Sequence, residues 1–475
     1  MTGVQTCALP ILLISAAHKS SGKTTVTLGL CAALRERGHV VQPFKKGPDY
    51  IDPMWLGEAT GRACHNLDFF TMDRDEIREA FARHTGGTDI ALIEGNKGLY
   101  DGLDLDGSNS NAALAILLSA PVLLVIDARG MTRGIAPLIL GYQAFEPRLH
   151  IAGVVLNQLG GSRHEAKLRS VIEHYTDVPV LGAVHHDAAL AIVERHLGLI
   201  PSNETLQRGS YIARIRAAVA SQVDLDRVLT IAAAPAVTVA LSPRPEVAAA
   251  DVRVGIVRDR AFGFYYPDDL EALRRAGAVL VAIDTLRQAA LPDVDGLFIG
   301  GGFPETHMEL LERNRSMRAS IAAAIEAGLP VYAECGGLMY LARRLSWNGR
   351  TCQMVGAIPA DVLMHERPMG RGYVRLRETG KGPWPLLDSD GQPGELSAHE
   401  FHHSSLVNIG GDVEFAYRVL RGTGVDGEHD GIVYKNVLAS YAHLRDVAKN
   451  RWAARFVAHV RACKRARTPH VELAG

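Results

Sequence analysis

Short apolar runs, each followed by a stretch of helical periodicity, set the rhythm of the first half of the chain. Ile11–Ser15, Val40–Phe44, Ile90–Glu94, Val122–Asp127, Ile151–Leu156 and Val178–Val184 are the runs. Several are continuously apolar rather than alternating, as expected of parallel strands covered on both faces. Helical patterns fall between them, including Thr24–Arg37 (ending at Gly38), Asn111–Leu118 and His164–His174. The alternation predicts a doubly wound α/β domain. Ile231–Val252 is rich in Ala and Pro with little periodicity and reads as a linker, centred on residues 236–250. A second α/β series then opens with strand Val252–Arg258, helix Asp268–Ala276, and strands Val279–Ile283 and Gly296–Ile299. Helix Asn314–Ala327 and strand Pro330–Glu334 follow, then a β-rich region from Met354 to Tyr441. The pattern divides the chain into a first domain at 11–235, a second at 251–450 and a basic tail at 451–475, read as a final helix that frays.

At 475 residues the chain exceeds what one core supports. Its 51 Lys and Arg against 52 Asp and Glu leave it nearly neutral, with none of the basic surface that nucleic acid selects. Six cysteines without paired spacing point to a reducing compartment, and the absence of a long apolar run points away from a membrane. Together they predict a cytoplasmic protein. Val4–Ala17 lacks the cationic segment of a signal peptide, and Met1–Pro10 fits no element and is set aside as a doubtful leader.

Ala17-His-Lys-Ser-Ser-Gly-Lys-Thr24 matches a phosphate-binding loop with Ala17 in place of the first glycine. The strand before it and the helix after it are the context that this chemistry needs. Ser20, Ser21, Gly22, Lys23, Thr24 and Thr25 would cradle ATP, with Lys23 on the outer phosphates and the Thr24 hydroxyl on magnesium. A magnesium site also needs carboxylates. Gly47-Pro-Asp-Tyr-Ile-Asp52 and Glu94-Gly-Asn-Lys-Gly-Leu-Tyr-Asp101 both follow apolar strands, at the strand ends where α/β sheets bind ligands.

Cys335 stands in Pro330-Val-Tyr-Ala-Glu-Cys-Gly-Gly-Leu-Met339, where an apolar strand turns into a helix through two glycines. That is the pattern of a nucleophile elbow. A cysteine nucleophile needs a base, and His443 ends the apolar run Val437–Ala442. The turn Gly300-Gly-Gly-Phe-Pro-Glu305 and Gly336 can supply oxyanion donors, Gly302 and Gly336 being the candidates. His399-Glu-Phe-His-His403 matches a zinc-peptidase pattern, but its surroundings alternate like a strand. Histidines four apart on a strand stand roughly 13 Å apart, too far for one zinc. His185-His186 reads as surface.

Taken together these residues resemble the cobyrinic acid a,c-diamide synthase family, glutamine-dependent amide ligases of corrin biosynthesis that include the hydrogenobyrinic acid enzymes. The motifs that carry the resemblance are SSGKTT, KKGPDYIDP at Lys45–Pro53, EGNKGLYDG at Glu94–Gly102, DRAFGFYYPDDLEALRRAGA at Asp259–Ala278, GGGFPE, YAECGGLMYL, HEFHHS and SYAHLRD. The resemblance implies a dethiobiotin-synthetase-like P-loop domain joined to a class I glutamine amidotransferase domain of flavodoxin-like α/β type. It implies that Cys335, with His443, releases ammonia from glutamine. ATP would phosphorylate a peripheral carboxylate of the macrocycle, and ammonia, passed internally, would displace the phosphate, once at each of two acetate side chains. Thr24, Asp49 and Glu94 fall at the magnesium positions, Asn157 at the adenine-reading position, and Tyr50, Asp52 and Asp101 at substrate positions. The partners so implied are ATP, glutamine and cobyrinate, hydrogenobyrinate or a related tetrapyrrole.

Two departures stand out. Class I amidotransferases place a glutamate two residues after the histidine, and here Arg445 stands there. Glu400 is the remaining candidate to orient the imidazole. Asn96-Lys97 and the insert Leu103–Asn111 mark a subgroup and keep sirohaem open as an alternative tetrapyrrole. A P-loop switch ATPase without synthetase activity is the reading from another class. His18 stands where such proteins carry a lysine, and they need no cysteine elbow.

Overall fold

A computed structural model of the chain describes residues 4–7, 10–190, 194–195, 198–205, 207–233, 237–240, 248–411 and 413–467. The chain divides into two compact units, Met1–Arg244 and Pro245–Gly475.

In the first unit the apolar runs become the strands β1 (Ile11–Ala16), β2 (Val41–Lys46), β3 (His65–Leu67), β4 (Ile90–Glu94), β5 (Val122–Asp127), β6 (Ile151–Leu159) and β7 (Val180–His185). They form a seven-stranded sheet in the order β3-β2-β4-β1-β5-β6-β7, parallel at every pairing. β1, β2 and β4 are buried along their whole length, which is why their apolar residues do not alternate. Helices α1 (Lys23–Glu36), α2 (Ile51–Thr60) and α3 (Arg74–His84) lie among the connections, and α4 (Arg208–Gln222) follows the last strand. Gly29 of α1 faces Val219 of α4 so closely that a methyl group there would lie 2.3 Å from the valine.

The second unit holds a nine-stranded sheet. Its parallel half comprises β8 (Val252–Val257), β9 (Ala278–Ile283), β10 (Gly296–Ile299) and β11 (Val331–Glu334). Strands β12 (Gly370–Glu378), β13 (Glu395–His402), β14 (Glu414–Arg421), β15 (His429–Tyr434) and β16 (Val437–Ser440) complete it, in the order β9-β8-β10-β11-β16-β15-β14-β12-β13. β16 is parallel to β11 and antiparallel to β15, so it joins the two halves.

Two expectations are corrected. The stretch read as a linker holds a strand, Val237–Ala240, paired antiparallel with Val4–Cys7 from the segment set aside as a leader. Residues 1–3, 8–9, 236 and 241–247 lie outside the described residues. The final helix expected in the basic tail is present as Trp452–Arg467, and its Trp452, Phe456, Val457 and Val460 are buried in a core with Val254, Phe298 and Tyr332. Its charges mask a buried stripe, and residues 468–475 are not described.

One buried carboxyl gives this unit a pH signature. Glu378 accepts from the Leu386 N–H at 2.9 Å, but its Oε2 is buried without a hydrogen bond. Burial pushes its pKa up to about 7. The folded state therefore binds this proton more tightly than the unfolded chain does. The stabilisation is complete below the unfolded value and is lost as pH rises through about 7. Melting temperature should fall between about pH 5 and pH 8, and Glu378→Gln should flatten that fall, gaining about 1–3 kcal/mol at the alkaline end. Thermal melts of both proteins across that range check it; parallel curves would contradict the assignment.

Candidate active sites

The phosphate loop connects β1 to α1. Its tight turns fall at Ser20 (φ +63°) and Gly22 (φ +87°), whereas Ala17 has no left-handed backbone, so a glycine is not needed there. Ser21 is buried and donates to the His18 carbonyl at 2.9 Å. Asn157, at the end of β6, donates to the Ser21 carbonyl at 2.9 Å and packs against Gly22. In this structure its amide braces the loop. Lys23 is buried, with Nζ 3.5 Å from the His18 carbonyl. Burial lowers its pKa to about 8, and an arriving phosphate would offset that cost. Thr24 and Thr25 open α1.

The two acidic clusters converge on Thr24. Its hydroxyl donates to Glu94 Oε1 at 2.7 Å and lies 3.4 Å from Asp52 Oδ2. Lys45 ties the group together, with Nζ 2.5 Å from Asp52, 2.9 Å from Glu94 and 3.8 Å from Asp49. Register explains this, since Lys45 and Glu94 are paired across β2 and β4. Burial works against the Lys45 charge, but Asp52 and Glu94 outweigh it and hold the pKa well above the usual value. Burial raises Glu94 to about 7 and, with Asp52 beside it, Asp49 to about 6. Asp52 moves the other way: Lys45 overcomes its burial and lowers it. Asp49 also caps α2, accepting from the Ile51 and Asp52 N–H groups at 2.9 and 3.2 Å. Glu94 Oε2 is buried with no hydrogen-bond partner, an oxygen that a divalent cation would satisfy. The donor set fits magnesium. Asp52, expected at the substrate, thus stands in the acidic cluster as firmly as Glu94. Tyr50 is buried at the start of α2. Asp101 accepts from the Gly98 N–H at 2.9 Å. Gly98 packs against the Ala17 carbonyl, so the Glu94–Asp101 loop closes onto the phosphate loop. In this unit Lys45 is a site residue that the sequence pattern does not reveal.

In the second unit Cys335 sits between β11 and a short helix, Gly336–Leu341, with φ +46° and ψ −99°. A side chain in that region is strained, and the strain is held by the surroundings. The Cys335 N–H donates to the Ser440 carbonyl of β16 at 2.7 Å. Gly337 lies so close to Ile299 that an added Cβ would meet its carbonyl at 2.2 Å. The thiol is buried, with Sγ 3.9 Å from the Phe401 carbonyl. Burial, with Glu305 and Glu334 nearby, pushes its pKa up, so it needs a base to ionise. A Cβ on Gly336 would lie 3.0 Å from the Gly302 nitrogen, which places the two candidate oxyanion turns back to back.

His443 follows β16, the strand beside β11. Glu334 of β11 faces Ser440 of β16 in register, bringing the nucleophile and the histidine to the same end of the sheet. The His443 N–H donates to the His399 carbonyl at 2.8 Å, and the two imidazoles stack at 4.9 Å. Asp430 accepts from the Tyr441 and Ala442 N–H groups at 3.0 and 2.9 Å, fixing the run into His443. His443 Nδ1 lies 3.4 Å from Glu334 Oε2. Glu400 does not take that place: it accepts from the Thr423 and Gly424 N–H groups at 2.7 and 2.8 Å. Arg445 turns away, 3.3 Å from Asp268 and over the Tyr266 ring. The His399–His402 run lies on strand β13, so the helical zinc-peptidase geometry is absent from it. His185 is 3.0 Å from Glu165, and His186 is exposed at Gln158.

A phosphate-binding unit with a carboxylate-lined threonine, joined to a unit with a cysteine elbow beside a histidine, defines an ATP-using, glutamine-dependent amide ligase. Comparison with known proteins agrees. Residues 13–200 match the CobQ/CobB/MinD/ParA nucleotide binding domain, and residues 253–450 match the CobB/CobQ-like glutamine amidotransferase domain. The cobyrinate a,c-diamide synthase of Magnetococcus marinus is 48% identical over 453 residues, covering 94% of this chain and 96% of its own. That of Methanosarcina acetivorans is 43% identical over 488 residues, covering 96% of each chain. The Archaeoglobus fulgidus protein of the same name is 39% identical over 452 residues, covering 94% and 97%. The chain belongs to the cobyrinate a,c-diamide synthase family. Among the described residues no helix is long and apolar enough to cross a membrane.

Proposed function

We propose that this chain amidates the a and c acetate carboxylates of cobyrinate or hydrogenobyrinate, drawing nitrogen from glutamine and energy from ATP, as a step of cobalamin biosynthesis. The observation that carries this reading is the coexistence of both sites in a chain similar along nearly its whole length to cobyrinate a,c-diamide synthases.

In the first unit the loop from Ser20 to Thr25 binds the phosphates, and Lys23 neutralises charge on the transferring group. Thr24, Asp49, Asp52 and Glu94 would hold magnesium, which supplies charge neutralisation on the ATP phosphates. Lys45 holds Asp52 and Glu94 in place. Asn157 supports the loop on the adenine side, and Tyr50 and Asp101 flank the position for the macrocycle. Phosphorylation of a substrate carboxylate gives an acyl phosphate, which ammonia converts to the amide with loss of phosphate. In the second unit Cys335 attacks the glutamine amide with His443 as base, and the N–H groups of Gly302 and Gly336 receive the oxyanion.

Sirohaem amidation is not favoured, because the relatives from Magnetococcus, Methanosarcina and Archaeoglobus named above carry the cobyrinate name. A switch ATPase is disfavoured by the amidotransferase match. Mass spectrometry of products from cobyrinate, hydrogenobyrinate and sirohaem, each with glutamine and ATP, tests the proposal. A diamide from a corrin substrate is expected; a product from sirohaem alone would overturn it.

A further inference from the structure

The amidotransferase unit lacks an acidic residue two positions after its histidine, and the structure offers a replacement from an unexpected direction. Glu334 directly precedes the nucleophile in the chain. Its Oε2 lies 3.4 Å from His443 Nδ1, and both side chains are 3% exposed. Its Oε1 accepts from the Tyr332 hydroxyl at 2.6 Å and from the Leu444 N–H at 2.9 Å. The carboxylate is thus fixed by its own strand, and it grips both the imidazole and the backbone of the next residue. Two other carboxylates, Asp430 and Glu400, are committed to backbone N–H groups. Asp430 takes the Tyr441 and Ala442 N–H groups, and Glu400 takes those of Thr423 and Gly424.

We infer that Glu334 is the positioning residue for His443, so that the elbow supplies nucleophile and orienting acid from consecutive positions. This rests on the reading of Cys335 and His443 given above. A carboxylate at Nδ1 keeps the proton on that nitrogen and leaves the Nε2 lone pair free. Nε2 then takes the proton from the Cys335 thiol, and the thiolate forms a bond to the glutamine amide carbon. The carbon–nitrogen bond breaks as the imidazolium returns the proton to the departing nitrogen, releasing ammonia. Water adds to the thioester, giving glutamate and restoring the thiol.

Glu334→Gln separates orientation from folding. The new carbonyl oxygen can still accept from Tyr332 and Leu444, while its amide nitrogen would donate to Nδ1 and impose the wrong tautomer. The expected result is a fall of roughly 10²–10⁴-fold in glutaminase kcat. The KM for glutamine should stay within about threefold, and amidation fed by ammonium should stay at the wild-type rate. A glutaminase kcat within about threefold of wild type would overturn the inference. So would a parallel loss of glutaminase, ammonium-fed amidation and melting temperature, which would mark a merely structural role. Cys335→Ala, assayed alongside, isolates the underlying reading. If that variant keeps glutaminase activity, the assignment of the site fails; if it is silent while Glu334→Gln is active, only the role of Glu334 fails.

Discussion

Cys335→Ala is expected to lose glutamine hydrolysis by at least about 10³-fold while still amidating its substrate from ammonium and ATP. In the proposed reaction the thiol is the covalent participant in releasing ammonia, so its removal would leave only residual catalysis by the oxyanion turns. The rest of the unit should tolerate the change. Alanine occupies less space than cysteine, and the strained backbone at φ +46° is held by the bond to Ser440 and by the packing of Gly337 on Ile299. Ammonium bypasses the site altogether. Parallel assays with glutamine and with ammonium check the split, and equal loss in both would show that the unit had unfolded or been misassigned.

Lys23→Met should have the complementary effect, lowering amidation roughly 10²–10³-fold with either nitrogen source while glutaminase activity survives. Lys23 is a buried ammonium whose pKa has fallen to about 8. Glu94, Asp52 and Asp101 offset part of the cost of its burial, and a phosphate held by the loop would offset more. Methionine preserves the apolar stem of the side chain, so the fold should remain and the phosphates should lose their cation. Glu94→Gln should act in the same direction, because it removes charge from the oxygen pair that faces Thr24. Steady-state rates with both nitrogen sources, together with glutamate release, distinguish this from a global defect.

Much of this was legible along the chain. Parallel strands buried on both faces announce themselves as unbroken apolar runs, and β4, β5 and β10 begin and end where the pattern puts them. The elbow is legible from the glycine pair after the cysteine, although the left-handed turn falls on Cys335 itself and the glycines serve close approach to Gly302 and Ile299. Lys45 was missed because a lysine beside a loop reads as solvated; its burial follows from register with Glu94, which sequence spacing does not encode. Glu334 is not legible as an orienting acid because its approach to His443 depends on the pairing of β11 with β16, which sequence spacing does not encode. Glu400, the candidate offered by the sequence, has its carboxylate consumed by the backbone of Thr423 and Gly424. The terminal helix is legible as a helix, whereas the burial of its stripe of Trp452, Phe456 and Val460 is hidden among basic residues.

The central claim is that glutamine nitrogen reaches a macrocycle carboxylate at the expense of ATP. The most direct measurement supplies cobyrinate, ATP and glutamine labelled with nitrogen-15 in its side-chain amide, with unlabelled ammonium present. Mass spectrometry of the product should then show two heavy nitrogens, no product without ATP, and only unlabelled diamide from Cys335→Ala. A wild-type product carrying only unlabelled nitrogen, or a labelled product formed without ATP, would contradict it.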